Sequence, residues 1–156
     1  MPGPPASSVS IDRLVAAVRR RYRQVEPEAL AHEVASGALV VDIRPVAQRS
    51  QDGMLRGSVV IDRNVLEWRL DPTSPHRIDL AAPDRRVVVV CNEGFSSTLA
   101  VGTLLDLGLA DVTDLRGGFQ ALLAARCVPG SGAEPPDLSA PPEPPAADLT
   151  RAATHG

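Results

Sequence analysis

Cys91 follows four consecutive valines, Val87 to Val90, and precedes Asn92, Glu93, Gly94, Phe95, Ser96 and Ser97; a helical pattern sets in at Thr98. A thiol acts as a nucleophile through its thiolate, and this stretch favours that ion in three ways. Gly94 permits a tight turn in which successive backbone N–H groups point inward. Ser96 or Ser97 can cap the helix that follows. The N-terminal end of that helix then turns its dipole toward the sulfur. The same amides suit a terminal sulfur, or an anionic donor group, carried on the cysteine. The competing reading is a buried, inert cysteine, common among free thiols. Position at a strand end, the glycine and the two serines favour the reactive one.

The elements that must position this loop alternate along the chain. Short β-branched runs at 38–43, 58–61, 86–90 and 111–115 are separated by helical or turn segments, as in a parallel sheet covered on both faces. Ser10 is a candidate N-cap for a first helix with Ile11, Leu14, Val15 and Val18 on one face. A second helix is expected from near Pro27 to Gly37, and two more at about 96–107 and 118–125. Arg19, Arg20, Arg21 and Arg23 crowd the end of the first helix. They suit its dipole as a solvated terminus, and the alternative is a docking site for an acidic partner. Ligands of such sheets bind at the carboxyl ends of the strands, which is where Cys91 falls.

Composition narrows the function classes. With 156 residues, 44% of them hydrophobic, the chain can bury one core. All 16 basic residues are arginine and the formal net charge is -3, so no general basic field recruits nucleic acid. No apolar stretch approaches the roughly 20 residues that span a bilayer, and the N-terminus lacks the pattern of a secretory signal. Cys91 and Cys127 form no metal-ligand pattern, so no metal site is expected. Free thiols in a reducing cytoplasm are the expectation. Residues 1–9 read as a flexible N-terminus, 10–128 as the folded domain and 129–156, rich in proline, as a disordered tail.

The 91–97 stretch resembles the active-site loop of the rhodanese-like sulfurtransferase family, Cys-x-x-Gly-x-x-Ser/Thr. Other segments agree in order: VVDIRP at 40–45, GMLRGSVVI at 53–61 and LGLADVTDLRGGFQALLAA at 107–125. The resemblance implies an open, mostly parallel α/β sheet of about five strands with helices on both faces. It implies a Cys91 persulfide that accepts sulfane sulfur from a small-molecule or protein-borne donor and passes it to a thiophilic acceptor. The backbone of residues 92–97 would hold the anion, and no cofactor is called for. Asp42 and Arg44 match the family's Asp-x-Arg and would brace the site.

Met54 and Arg56 depart from the family's usual histidine and proline in a segment that is mostly structural. Glu93 stands in a loop that is often basic in thiosulfate-specific members. It either repels a dianion from the entrance or points to solvent. Trp68 is expected in the core or a cleft wall; Arg63 and Arg69 beside it are either surface residues or partners of an anionic substrate. Cys127 is either an incidental cysteine or a resolving thiol. Phosphoester cleavage by a related loop would need an arginine after the cysteine, and none occurs from 87 to 115. The rival outside enzymology is a rhodanese-like binding module or a persulfide or redox sensor. Oligomeric state is left open.

Overall fold

In the computed structural model, which describes Gly3, residues 8–126 and residues 137–139, four short strands run parallel. They are β1 (Leu39–Asp42), β2 (Val59–Val60), β3 (Val87–Val90) and β4 (Val112–Asp114), in the spatial order β2-β1-β3-β4. Val41 pairs with Val59 on one side and Val89 on the other, and Val89 pairs with Asp114. The open α/β class is as expected. Among the described residues there are four strands rather than about five, with Val25 bridging Leu115 as a further parallel rung.

Six helices are described: α1 (Ile11–Arg19), α2 (Leu30–Ala35), α3 (Val46–Asp52), α4 (Leu66–Leu70), α5 (Ser96–Asp106) and α6 (Gly118–Arg126). The two-residue period of a strand decides which of them each valine meets. Val41, Val87 and Val89 pack with Leu66 and Leu70 of α4 and with Ala100, Val101 and Leu104 of α5. Val40, Val88 and Val90 pack with Leu30 of α2 and with Phe119 and Leu122 of α6. β3 is therefore buried on both faces, which is why it reads as unbroken valine. Cys91 continues the odd-numbered side and falls among the α5 cluster.

Ser10 caps α1 as expected, its Oγ accepting from the Arg13 N–H at 3.2 Å. The buried stripe is narrower than the sequence suggested: Val15 and Val18 are buried, whereas Ile11 and Leu14 remain exposed. α1 lies on α5 because Gly102 leaves room for it; a Cβ there would sit 3.2 Å from Val18 Cγ1. No described helix is long and apolar enough to cross a membrane.

Part of the proline-rich stretch lies against this body. Leu138 is only 6% exposed within the α6-side cluster, and its N–H donates to the Arg56 carbonyl at 2.9 Å. Gly57 allows the approach, since a Cβ there would meet Ser139 N at 2.6 Å. A single apolar residue among prolines carries no periodic signal, so composition alone hides this contact. Leu138→Ala is expected to lower folding stability by about 2 kcal/mol, through lost burial and the space left behind. Chemical denaturation beside the native chain measures it.

Candidate active site

The strand order sets where a ligand can enter. From β1 the chain moves outward to β2, then returns to place β3 on the other side of β1. The segments leaving β1 and β3 thus diverge and open a crevice at the sheet's carboxyl end. A cleft of about 400 Å³ occupies that place, lined by Ile43, Arg44, Pro45 and Gln48 after β1 and by Cys91, Asn92, Glu93, Phe95 and Ser96 after β3.

Cys91 is 4% exposed, with its sheet side among apolar residues and its other side on the cleft. The Gly94 N–H donates to Sγ at 3.1 Å. That turn requires glycine: Gly94 has φ +86°, and a Cβ would lie 2.7 Å from Gly117 N. Among the described residues, the N–H groups of Asn92, Glu93, Phe95, Ser96 and Ser97 have no hydrogen-bond partner. The carbonyls of Cys91 and Asn92, by contrast, are engaged. The first amides of α6 hold them, Phe119 N–H donating to the Cys91 oxygen at 2.8 Å and Gln120 N–H to the Asn92 oxygen at 3.0 Å. Gln120 Nε2 also donates to Asn92 Oδ1 at 3.0 Å and to Asp52 Oδ2 at 2.9 Å. With carbonyls tied to α6 and amides unpaired, the loop offers donors rather than acceptors, as anion binding requires.

Neither serine caps α5. The helix is preceded by Phe95, with no side-chain cap, and Ser96 is exposed. Ser97 is fully buried and does something else: the Cys91 thiol donates to its Oγ at 3.1 Å, and Ser97 donates to Asp114 Oδ2 at 2.7 Å. Asp114, at the end of β4, is itself completely buried. It accepts from Thr98 at 3.0 Å, Tyr22 at 2.8 Å and Gln24 at 3.0 Å as well. Four donors compensate its charge in a place where an unpaired carboxylate would not persist. Burial holds the Tyr22 hydroxyl well above the usual phenol range, with the Asp114 charge adding to the effect, so Tyr22 serves as a donor.

Asp42 and Arg44 brace the cleft from the β1 side. Arg44 Nη2 lies 2.8 Å from Asp42 Oδ2, both side chains are fully buried, and the guanidinium stacks 3.5 Å from the Phe119 ring centroid. Arg44 also donates to the Gly53 carbonyl at 2.9 Å.

Arg63 and Arg69 are not brought to Cys91. Arg63 pairs with Glu67 at 2.6 Å, and Arg69 donates to the His76 carbonyl at 2.7 Å beside a separate surface hollow. Trp68, expected in the core or a cleft wall, is 57% exposed in that hollow. The short α4 buries Leu66 and Leu70 on the sheet, and a residue midway between them must face outward. Cys127 lies outside the described residues.

Two functional candidates escaped the sequence reading. Asp114 looked like an ordinary strand residue in a half-apolar run. Arg19 looked like part of a solvated helix end, yet its Nη2 donates to the Gly94 carbonyl at 2.7 Å and its Nε to Thr98 Oγ1 at 3.2 Å. Separated from Gly94 by 75 positions, it leaves no local signature.

Comparison with known proteins agrees with this geometry. Residues 26–125 match the family described as Rhodanese-like domain. A relative from Pseudomonas aeruginosa, named thiosulfate sulfurtransferase GlpE, is 34% identical over 99 residues, covering 64% of this chain and 82% of that protein. The protein of the same name from Stutzerimonas stutzeri is 30% identical, over 64% of this chain and 83% of its own. Among solved structures, a Rhodopseudomonas palustris protein of unknown function, described as a possible tyrosine phosphatase, superposes with a TM-score of 0.70 at 28% identity, covering 80% of this chain and 96% of that one. A rhodanese-related protein from Thermoplasma volcanium shares the fold at TM-score 0.52 and 23% identity, over 67% of this chain and 93% of its own. The matched stretch takes in every strand and the whole cysteine loop, and on that ground the chain belongs to the rhodanese-like domain family.

Proposed function

We propose that this protein is a sulfurtransferase that carries sulfane sulfur on Cys91. The observation that carries the reading is the Cys91 sulfur itself, set on an open cleft with the Gly94 N–H at 3.1 Å, in a loop whose other amides have no partner among the described residues. Relatives at 30–34% identity bear the name thiosulfate sulfurtransferase, which supports the same class. In the first step the Cys91 thiolate attacks the outer sulfur of the donor. A bond forms between Sγ and that sulfur, the donor's own bond to it breaks, and the electron pair leaves on the donor as a thiolate or sulfite. In the second step an acceptor nucleophile attacks the terminal sulfur, and the pair of the S–S bond returns to Sγ. Both steps keep an anion beside the same amides, so one preorganised set of donors serves each. The residues present need no cofactor for this chemistry.

The cleft favours a donor of low charge. Ile43, Pro45 and the half-exposed Phe95 give it an apolar wall, and Glu93 sits exposed at its edge. Among the described lining residues the one arginine is Arg44, whose buried guanidinium is held by Asp42. Among these described residues a thiosulfate dianion meets a carboxylate and no uncommitted cation, so a persulfide on a small thiol or a protein is the better substrate. The same arrangement argues against phosphoester cleavage, which calls for a guanidinium gripping the oxyanion in two-point fashion.

Exposure of the purified chain to a persulfide donor is expected to add one sulfur atom to Cys91, seen by peptide mass spectrometry and removed by cyanide or a thiol. Thiosulfate should load it more slowly. Sulfur that loads but is never discharged would replace this reading with a sensing module; a cysteine that never loads would end it.

A further inference from the structure

The geometry points to Arg19 as a positioning residue for the cysteine loop, which makes the N-terminal helix α1 a working part of the site. The inference rests on the reading of Cys91 as the sulfur carrier. Arg19 precedes residue 26, where the family match begins, so it lies outside the matched stretch. The half-buried side chain touches the loop in three ways. Nη2 holds the Gly94 carbonyl at 2.7 Å, Nε holds Thr98 in the first turn of α5 at 3.2 Å, and the guanidinium lies 5.4 Å from the Phe95 ring centroid. Gly94 is also the residue whose N–H reaches Sγ. Gripping the peptide oxygen on its far side constrains the orientation of the turn, and with it the aim of that N–H.

Seating of α1 is itself built in. The close approach of Val18 to Gly102 brings the following residue, Arg19, to the start of α5. Charge acts in the same direction as geometry. Among the described residues, the charged groups linked by contacts to Cys91 or its loop are Glu93 in the loop, Arg44 beyond β1 paired with Asp42, Asp52 reached through Gln120 and Asn92, Asp114 of β4 reached through Ser97, and Arg19. Asp42 neutralises Arg44, which leaves Arg19 as the cation set against Glu93, Asp52 and Asp114. Its removal both loosens a donor and deletes a positive charge, and each disfavours a thiolate.

The test is the pH dependence of Cys91 alkylation by iodoacetamide in the full chain, followed on the Cys91 peptide by mass spectrometry, with sulfur-transfer rates measured alongside. Arg19→Met should raise the alkylation midpoint by roughly half a unit to one unit. It should slow transfer about tenfold through the misaimed donor. Arg19→Lys should fall between Met and the native chain, because one ammonium cannot hold the carbonyl, the hydroxyl and the ring together. Arg20→Met, a neighbouring exposed arginine, should match the native chain in both readouts. A native midpoint and native rate in Arg19→Met overturn the proposal. If that variant is too unstable to titrate, Arg19→Lys decides, and a midpoint coincident with the native value overturns it equally. Should the native chain load no sulfur at all, the assigned activity fails, while the alkylation profiles still decide whether Arg19 governs the thiol.

Discussion

Cys91→Ser is expected to abolish sulfur loading, with transfer falling at least about a thousandfold to background, while the fold persists. A serine hydroxyl in the same place does not ionise near neutral pH, and its oxygen is a poor nucleophile toward sulfur. The surroundings nonetheless suit it. The Ser97 hydroxyl that accepts from the thiol at 3.1 Å can accept from another hydroxyl, and the Gly94 N–H retains an acceptor. Thermal unfolding followed by circular dichroism should therefore move little, and mass spectrometry after exposure to a persulfide donor should show no sulfur on that peptide. Loading at position 91 would be impossible in this variant, so any residual sulfur must map elsewhere. Sulfur transfer at the native rate would remove Cys91 from the chemistry altogether.

The second large effect is on stability. Asp42→Ala is expected to destabilise the fold by about 3–5 kcal/mol, because it leaves a buried guanidinium without its counter-charge. Arg44 has no exposed surface through which to recover by hydration. Its Nη1 has no hydrogen-bond partner among the described residues, and the Phe119 ring covers the group at 3.5 Å. Among the described residues, the Gly53 carbonyl is the one acceptor outside Asp42 that it reaches. Such a loss is a large fraction of what a domain of this size holds in reserve. Exchanging both partners for apolar residues, as in Asp42→Leu with Arg44→Met, should recover most of it, since no stranded charge remains. Urea denaturation of the single and double variants measures the difference; a double variant as unstable as the single one would mean that packing, not charge, dominates. Because Asp42 also accepts from the Arg44 N–H at 3.0 Å, in the turn whose backbone lines the cleft, the double variant should still lose transfer activity.

Features carried by local pattern were legible from sequence. Four valines in succession announce a strand buried on both faces, and a cysteine at its end is placed at a sheet mouth by chain direction alone. Gly94 and the Asp42–Arg44 spacing are likewise short-range signals. What escaped was whatever depends on two distant elements meeting. Ser97 looked like a helix cap, because its buried link to Asp114 joins α5 to β4. Trp68 looked internal by residue type, although α4 spends its inward positions on Leu66 and Leu70. Arg63 and Arg69 read equally as surface residues or as partners of an anion, and local acceptors claim both. Arg19 is the clearest case: only the docking of α1 on α5 reveals where its guanidinium lies.

The pairing of Gly94 with Gly117 and Gly118 bears on any attempt to transplant this reactivity. A Cβ at Gly118 would stand 2.6 Å from the Cys91 oxygen, just as one at Gly94 would strike Gly117. The seven-residue segment from Cys91 to Ser97 is thus one half of a two-piece mould whose other half begins twenty positions after Ser97. Grafted alone onto another parallel sheet, it would arrive without the surface that shapes it. A successful graft has to carry the 117–118 corner as well, and natural variants of either piece are expected to be exchangeable only as a matched set.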